Sequence, residues 1–204
     1  MFLQRCIVFS DETVHEWEAK LTPILTHEVR QRRRGRAGAG GQSLHVDETY
    51  LKVRGRWCYF YRAIDRDGAL VDTMLSEHRD MAAARAFFRS AKSATGLVPD
   101  RVTTDGHGSY PRAIRSTLGR HVEHRTSAYK NNRLEQDHRG VKGRIRCMRG
   151  FKELGAAERF CRGCDELRTF LRLCTHHNQY VPASQRRLLH LRRTTTLLAI
   201  LRTA

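Results

Sequence analysis

Residues 43–65 read SLHVDETYLKVRGRWCYFYRAID, and this stretch decides the fold because it contains two long β-prone segments. The segments SLHVDETYLKV and RWCYFYRAID are rich in β-branched and aromatic side chains, and Arg54-Gly55-Arg56 forms a tight turn between them. A third β-prone segment, ALVDTMLSE, follows a second turn that ends in Asp67-Gly68. The pattern predicts three strands joined as hairpins.

Beyond these hairpins, helical and β-prone segments alternate. DMAAARAFFRSAKSA has the apolar stripe of a helix, and RVTTD predicts a short buried strand parallel to the first. Pro111 at the start of PRAIRSTLG suits the first turn of a further helix. HVEHRT predicts a last strand, and NNRLEQDHRGVKGRIR predicts a helix after it. The element order therefore predicts an α/β fold in which helices flank a mixed five-stranded sheet.

Three acidic residues occupy positions suited to binding metal ions. Asp47 and Asp105 each follow a β-prone stretch, and Glu135 lies on the predicted helix after the last strand. Carboxylate oxygens are the ligands that Mg²⁺ prefers. Glu48 should point to the opposite face of the strand from Asp47, so we expect only Asp47 to face the site. Turn or solvent-facing roles are expected for Asp65, Asp67 and Asp72.

Three strings around these carboxylates carry a family resemblance: VDETYLKVRGRWCYFYRAIDRDG, TDGHGSYPRAI and VEHRTSAYKNNRLEQDHRGVKGRIRCMRGF. Together, in this order and over about Ser43 to Phe170, they resemble the core of DDE-type bacterial insertion-sequence transposases, above all the IS-six group. The resemblance implies a ribonuclease H-like, integrase-type core. It also implies that Asp47, Asp105 and Glu135 form the catalytic triad and hold two Mg²⁺ (or Mn²⁺) ions.

The same resemblance implies a reaction and its partners. A water molecule would cleave the phosphodiester at an element end, and the freed 3′-hydroxyl would attack target DNA. The partner would be double-stranded DNA, both terminal inverted repeats and target, held by a homodimer that bridges two element ends. Alternatives are a nuclease of the same fold that does not join strands, and a non-catalytic truncated remnant that only binds DNA.

The charge of the chain agrees with a nucleic-acid partner. Its 204 residues include 38 Lys and Arg against 21 Asp and Glu, a net charge of +17 that attracts polyanions. Basic and polar residues cluster on the helix of Glu135, where the alternatives are DNA contact and a solvated basic face. The candidate DNA-binding residues are Asn131, Arg133, His138, Arg139, Lys142 and Arg144.

Four segments are predicted along the chain. Residues 1–30 resemble the end of a helix-turn-helix, with Ser10 as N-cap and Pro23 as a break in the helix, although a helix that packs on the core fits equally well. With only nine residues before this helix, the chain is expected to be N-terminally shortened relative to relatives that have a whole DNA-reading domain. The other segments are a basic Gly/Arg-rich linker at 31–43, the catalytic core at 44–150 and a helical C-terminal extension with a basic tail at 151–204.

The cysteines raise the question of a zinc site, and the hydropathy pattern bears on the location of the protein. Cys161, Cys164, Cys174 and His176 have spacings that suit a zinc site, yet the cysteines also fall on the apolar stripe of a helix. No stretch approaches the roughly 20 apolar residues that span a membrane, and no signal peptide is visible. We therefore expect a cytoplasmic, nucleoid-associated protein with no membrane partner.

Overall fold

The computed structural model of the chain describes residues 10–33, 43–66, 68–127, 132–146, 148, 150–172 and 181–203, and only the backbone of 33, 132–137 and 183. The described strands are β1 (Ser43–Val53), β2 (Arg56–Ile64), β3 (Leu70–Ser76), β4 (Arg101–Thr104) and β5 (Glu123–Thr126). The described helices are α1 (Asp11–Arg33), α2 (Met81–Thr95), α3 (Tyr110–Thr117), α4 (Asn132–Arg146), α5 (Leu154–Leu171) and α6 (Ala183–Thr203).

All five strands form one sheet in the order β3-β2-β1-β4-β5. The strands β1, β2 and β3 are antiparallel neighbours, whereas β4 runs parallel to β1 and β5 runs parallel to β4. The mixed five-stranded sheet predicted from the sequence is therefore confirmed. Within β1, only Ser43–His45 pair with β4, so among the described strands the rest of β1 is paired on its β2 side alone.

The two hairpin turns form where the sequence predicts them. Arg54 and Gly55 adopt φ values of 50° and 77°, the left-handed conformation that a two-residue hairpin loop requires at both positions. At the second turn, the Asp65 carboxylate accepts a hydrogen bond from the backbone N–H of Ala69 at 2.8 Å. This contact confirms the predicted turn role of Asp65, whereas Asp67 lies outside the described residues.

The sheet buries a hydrophobic core on each face. Alternate residues of β1 divide between the two cores, with Val46 on the side of α2 and α3 and Leu51 on the side of α4 and α5. Phe87 and Phe88 of α2 fill the first core, and Phe60 of β2 contributes to the second. Side chains from both faces therefore reach the edge of β1 next to the end of β4.

Helix α1 is continuous through Pro23, so the predicted break is wrong. Its beginning is as predicted, because the Ser10 hydroxyl accepts a hydrogen bond from the N–H of Thr13 at 3.2 Å. The helix packs against α5, and its Arg30 forms a 3.1 Å ion pair with Asp72 of β3. Asp72 is 1% exposed, so its predicted solvent-facing role is also wrong. Packing on the core sustains α1 despite the hydrogen bond that proline cannot make.

The C-terminal helix α5 covers part of the sheet, and α6 packs on other helices. Helix α5 packs on β3, and α6 lies against α1 and α5. Among the described helices, none is both long enough and apolar enough to cross a membrane.

Candidate active site

The parallel pairing of β1 and β4 brings Asp47 and Asp105 together. His45 pairs with Thr103, so two residues further along each strand the register sets Asp47 level with Asp105. Asp105 is the first residue after β4. A carboxylate oxygen of Asp47, one of Glu48 and one of Asp105 all lie within 4.8 Å of one another. The two aspartates predicted as partners from widely separated motifs are therefore neighbours.

Glu48 also belongs to this cluster, so the expectation that only Asp47 of this pair faces the site is wrong. Successive side chains of a strand point to opposite faces, and this alternation does direct Glu48 toward the side of α2 and α3. Glu48 is level with the buried Tyr61 of β2. Beyond His45, however, β4 no longer flanks β1. Both carboxylates can therefore meet at the free edge of the strand, where the Asp47 oxygen accepts the N–H of Glu48 at 3.0 Å.

Arg79 supplies a positive charge inside the carboxylate cluster. Its guanidinium forms an ion pair with Glu48 and a 2.8 Å hydrogen bond with Asp105. The arginine follows β3 and precedes α2, whose N-cap Asp80 accepts the N–H of Ala83 at 2.8 Å. Arg79 therefore occupies part of the space where cations would bind to these carboxylates, and it offsets part of their mutual repulsion.

The hydroxyl of a buried tyrosine supports Glu48 from the side of α2 and α3. Tyr110, the first residue of α3, is fully buried and its hydroxyl donates a hydrogen bond to Glu48. Burial, followed by the charge of Glu48, raises the pKa of Tyr110 well above its usual range. Burial and the same carboxylate raise the pKa of Tyr61. Both phenols remain protonated, so they act as hydrogen-bond donors or packing groups rather than as bases.

The loop that carries Asp105 depends on a glycine. Gly106 has a φ of 92°, and a Cβ atom at this position would lie 2.4 Å from Cγ2 of Thr126 on β5. The backbone N–H of His107 then donates to the Asp105 carboxylate at 3.0 Å. The close approach of this loop to β5 therefore fixes the orientation of Asp105, and it requires a residue without a side chain.

The third predicted ligand, Glu135, lies in the second turn of α4, but its side chain is outside the described part of the structure. Helix α4 packs along β1, so it is adjacent to the strand of Asp47. Asn131 falls outside the described residues, and only the backbone of Arg133 is described. Roles for these three residues remain predictions.

His138 does not suit the DNA contact predicted for it. The residue is 7% exposed, and its Nε2 atom is buried without a hydrogen-bond partner among the described residues. Burial, together with the positive charges of Arg62 and Lys142, lowers the pKa of His138 to about 3. The neutral ring of His138 packs inside the protein because this part of α4 turns toward the sheet.

The other predicted basic contacts on α4 are exposed but face different directions. Arg139, Lys142 and Arg144 are all exposed. The ammonium of Lys142 lies 4.5 Å from the ring centroid of Tyr50, near the free edge of β1. Arg144 instead lines a cleft with Leu167 of α5. Lys142 and Arg144 are two residues apart, which corresponds to about 200° of rotation around a helix. One DNA strand along α4 would therefore not contact both side chains.

The cysteine segment contributes to the second core. Cys161 is fully buried among the residues between the sheet and α5, and burial raises the pKa of its thiol. Cys164 is partly exposed, and burial also raises its pKa. These features agree with the interpretation of the cysteines as small core residues. Cys174 and His176 lie outside the described residues, so zinc binding remains untested.

The donor chemistry of the cluster fits a divalent cation. Mg²⁺ binds oxygen ligands at about 2.0–2.1 Å, so oxygens on opposite sides of one ion lie about 4.2 Å apart. The oxygens of Asp47, Glu48 and Asp105 already have comparable separations, within 4.8 Å. Asp105 is also partly exposed, at 36%, which leaves it accessible from solvent.

Sequence reasoning missed Arg79 at this site and a separate cleft lined by arginines. Arg79 gave no signal, because an isolated arginine before a helix has no distinguishing pattern. Four arginines line an open cleft of about 710 Å³ between α2 and α3, and only the three-residue spacing of Arg112 and Arg115 hinted at a shared face. The arginines of this cleft are Arg85, Arg112, Arg115 and Arg120.

Comparison with known proteins identifies the class to which this fold and site belong. The family of DDE domains typified by IS240 transposases matches residues 41–173, about two thirds of the chain. The chain is thus a DDE transposase domain, and it belongs to the IS-six family of insertion-sequence transposases. Family membership and the observed sheet order together confirm the ribonuclease H-like, integrase-type fold class.

Individual relatives agree with this assignment. The transposase for the insertion sequence-like element IS431mec of Staphylococcus aureus is 34% identical over 145 residues, which cover 69% of this chain and 62% of the relative. The chain therefore spans about three fifths of the length of this curated relative.

Two solved structures have weaker likenesses. The catalytic domain of the Mos1 mariner transposase has 10% identity and a TM-score of 0.49 over 95% of this chain and 96% of its own. The catalytic core domain of HTLV-2 integrase has 17% identity and a TM-score of 0.42 over 52% and 70%.

Proposed function

We propose that this chain is a Mg²⁺-dependent DNA transposase that cleaves insertion-sequence ends and transfers the freed 3′-hydroxyl to target DNA. The observation that carries the proposal is the meeting of Asp47, within β1, and Asp105, directly after the parallel neighbouring strand β4, in a chain of the DDE family. Glu135 on the adjacent helix α4 is the third proposed ligand. Two Mg²⁺ or Mn²⁺ ions, when bound, would activate the attacking oxygen and stabilise the leaving oxygen.

The residues of the chain prepare the site for a phosphodiester. Asp47 within β1 and Asp105 directly after β4 supply carboxylates held by the sheet, which keeps the ligand oxygens at fixed separations. Arg79 must give up its contact with Asp105 when cations occupy the site, and it then remains within reach of Glu48. Its guanidinium would be free to donate to a phosphate oxygen of the substrate. Exposed Arg139 and Lys142 are the proposed contacts to the DNA backbone.

The proposed substrate and assembly follow from the family. Terminal inverted repeats and target DNA would bind across the basic surface, and a homodimer would hold two element ends. The net charge of +17 favours such a polyanion. Cleavage and joining both require water or a hydroxyl in line with the scissile bond, which the partly exposed carboxylate edge permits.

The test is Mg²⁺-dependent nicking and strand joining on a labelled element end, with Glu135→Gln beside wild type. Glu158→Gln, which removes a partly exposed acid of α5 that pairs with Arg162, is the matched control. We expect joined product from wild type and the control, and none from Glu135→Gln. Joined product from Glu135→Gln would contradict the proposed triad.

Two other outcomes would select the alternatives. Nicking without joining would indicate a nuclease of the same fold. DNA binding without metal-dependent cleavage would indicate a non-catalytic transposase remnant.

A further inference from the structure

An exposed aromatic pair lies on the β1–β2 hairpin beyond the carboxylate site. Tyr50 is 55% exposed and Trp57 is 52% exposed. Their ring centroids are 5.0 Å apart in an edge-to-face arrangement. Side chains of this size are rarely left so exposed in pairs without a partner molecule, because they lose the free energy of burial. The pair therefore marks an interaction surface.

The pair continues the sheet face of Glu48. Tyr50 follows Glu48 by two residues on β1, and Trp57 of β2 is level with Lys52. At about 3.3 Å per residue, Tyr50 lies about 10 Å beyond Asp47 and Trp57 about 17 Å beyond it. At about 3.4 Å per nucleotide, this distance corresponds to about three to five nucleotides of a DNA strand.

Basic side chains surround the two rings. The ammonium of Lys52 lies 4.7 Å from the centroid of Trp57, and that of Lys142 lies 4.5 Å from the centroid of Tyr50. Arg54 and Arg56 at the hairpin tip are also exposed. Such cation–π contacts are weak at exposed sites, so the ammonium groups can leave the rings for a stronger anionic partner. A phosphate within reach of either lysine is such a partner.

We propose that Tyr50 and Trp57 form a stacking surface for one or two unpaired nucleotides of the DNA strand bound at the carboxylate site. Lys52 and Lys142 would move from the rings to the flanking phosphates as the bases stack. Aromatic faces bordered by basic residues are the usual surface for single-stranded nucleic acid. This inference rests on the proposed function, since it assumes that DNA is the ligand of the adjacent site.

Charge favours this ligand over a second copy of the chain. The chain carries a net charge of +17, and the surface around the rings adds Lys52, Lys142 and the two hairpin arginines. Two copies docked through this face would bring like charges together, which opposes association. A DNA strand brings one negative charge per nucleotide to the same place.

The fluorescence of Trp57 tests the proposal directly. The chain has two tryptophans, so Trp17→Phe leaves Trp57 as the one emitter. The probes are a 12-nucleotide oligothymidine strand and a blunt duplex of the same length, without divalent metal. We expect the single strand to quench Trp57 strongly and the duplex to quench it far less. Equal quenching by both probes, or none by the single strand, would overturn the proposal.

Substitutions then separate stacking from charge. Trp57→Ala should weaken single-strand binding roughly tenfold, in the range of one lost stacking contact, and Trp57→Phe should retain most of the affinity. Leu97→Ala, which removes an exposed apolar side chain elsewhere on the surface, is the matched control and should change nothing. Unchanged affinity in Trp57→Ala would contradict the stacking surface. Circular dichroism melting of each variant checks that the fold is intact.

Two further measurements distinguish this inference from the proposed function. If single-stranded DNA quenches Trp57 fluorescence but the protein neither cleaves nor joins DNA, the proposed transposase activity is overturned and the stacking surface is retained. Normal strand joining by Trp57→Ala, with unchanged affinity for single-stranded DNA, would overturn the stacking surface and leave the proposed transposase activity standing. Sedimentation of wild type and Trp57→Ala identifies a self-association surface: loss of dimer with unchanged DNA affinity would overturn the stacking role.

Discussion

The burial of His138 predicts a specific loss of stability in acid. The native pKa of this histidine is about 3, whereas that of the free side chain is 6.5. Above pH 6.5 the ring is neutral in both the folded and the unfolded chain. Between pH 6.5 and pH 3 the unfolded chain binds a proton that the folded chain excludes, so the free energy of unfolding falls as the pH falls.

The size of the loss follows from the two pKa values. Each pH unit below 6.5 costs about 1.4 kcal/mol until the folded pKa is reached. At pH 5, which is 1.5 units below the free value, the histidine should therefore have removed about 2 kcal/mol of stability. His138→Leu abolishes the titration and keeps an apolar side chain in the same place. The variant should lose about 2 kcal/mol less than wild type between pH 8 and pH 5.

Urea unfolding followed by circular dichroism at pH 8, 6.5 and 5 measures this difference. Other titrating groups contribute equally to both proteins and cancel. His190→Leu, which removes an exposed histidine of α6, is the matched control. The reasoning is refuted if the free energy of unfolding falls equally in wild type and His138→Leu between pH 8 and pH 5. It is also refuted if the wild type loses less of this free energy than the variant does.

Three further predictions concern the site and its support. Arg79→Ala should bind Mn²⁺ about fivefold more tightly in calorimetric titration, because a partly exposed ion pair worth about 1 kcal/mol no longer competes for the carboxylates; unchanged or weaker binding would contradict this. Asp165→Ala should lower the free energy of unfolding by about 3 kcal/mol, because it breaks a buried 2.9 Å ion pair with Arg62. A loss below about 1 kcal/mol in urea unfolding would show that the pair is dispensable. Gly106→Ala should cost about 2 kcal/mol through backbone strain and the clash with Thr126, and Thr126→Ser, which lacks Cγ2, should restore part of it; equal stability with and without Thr126→Ser would remove the steric explanation.

Much of the sheet and part of the site could be predicted from sequence because local patterns determine them. The β-branched and aromatic runs of β1 and β2, with Gly55 between them, specify a hairpin without any distant contact. Asp47 and Asp105 could be paired because each directly follows a β-prone run, and the two runs were expected to form parallel strands. The same patterns predicted the helices on either side.

The remaining features depend on contacts that no local pattern encodes. Pro23 was expected to break α1, but packing of the helix on α5 and the Arg30–Asp72 ion pair hold it in one piece. Glu48 was assigned away from the site because successive side chains of a strand point to opposite faces. This rule does not tell where the neighbouring strand β4 ends, and that end lets both carboxylates meet at the edge of β1. His138 looked like a surface residue within a basic helix, and only the approach of α4 to the sheet buries it.

The pairing of β1 with β4 also determines when the carboxylate site can form during folding. The β1–β2 turn joins residues three apart, Val53 and Arg56, whereas β1 meets β4 through Ser43 and Arg101, which are 58 residues apart. Local hairpins form quickly, while pairings across long stretches of chain form late because loop closure costs entropy. A growing chain that has not reached residue 101 holds Asp47 without Asp105. The carboxylate cluster therefore comes together only after β4 has been synthesised, and a shorter nascent chain holds Asp47 and Glu48 without the third carboxylate.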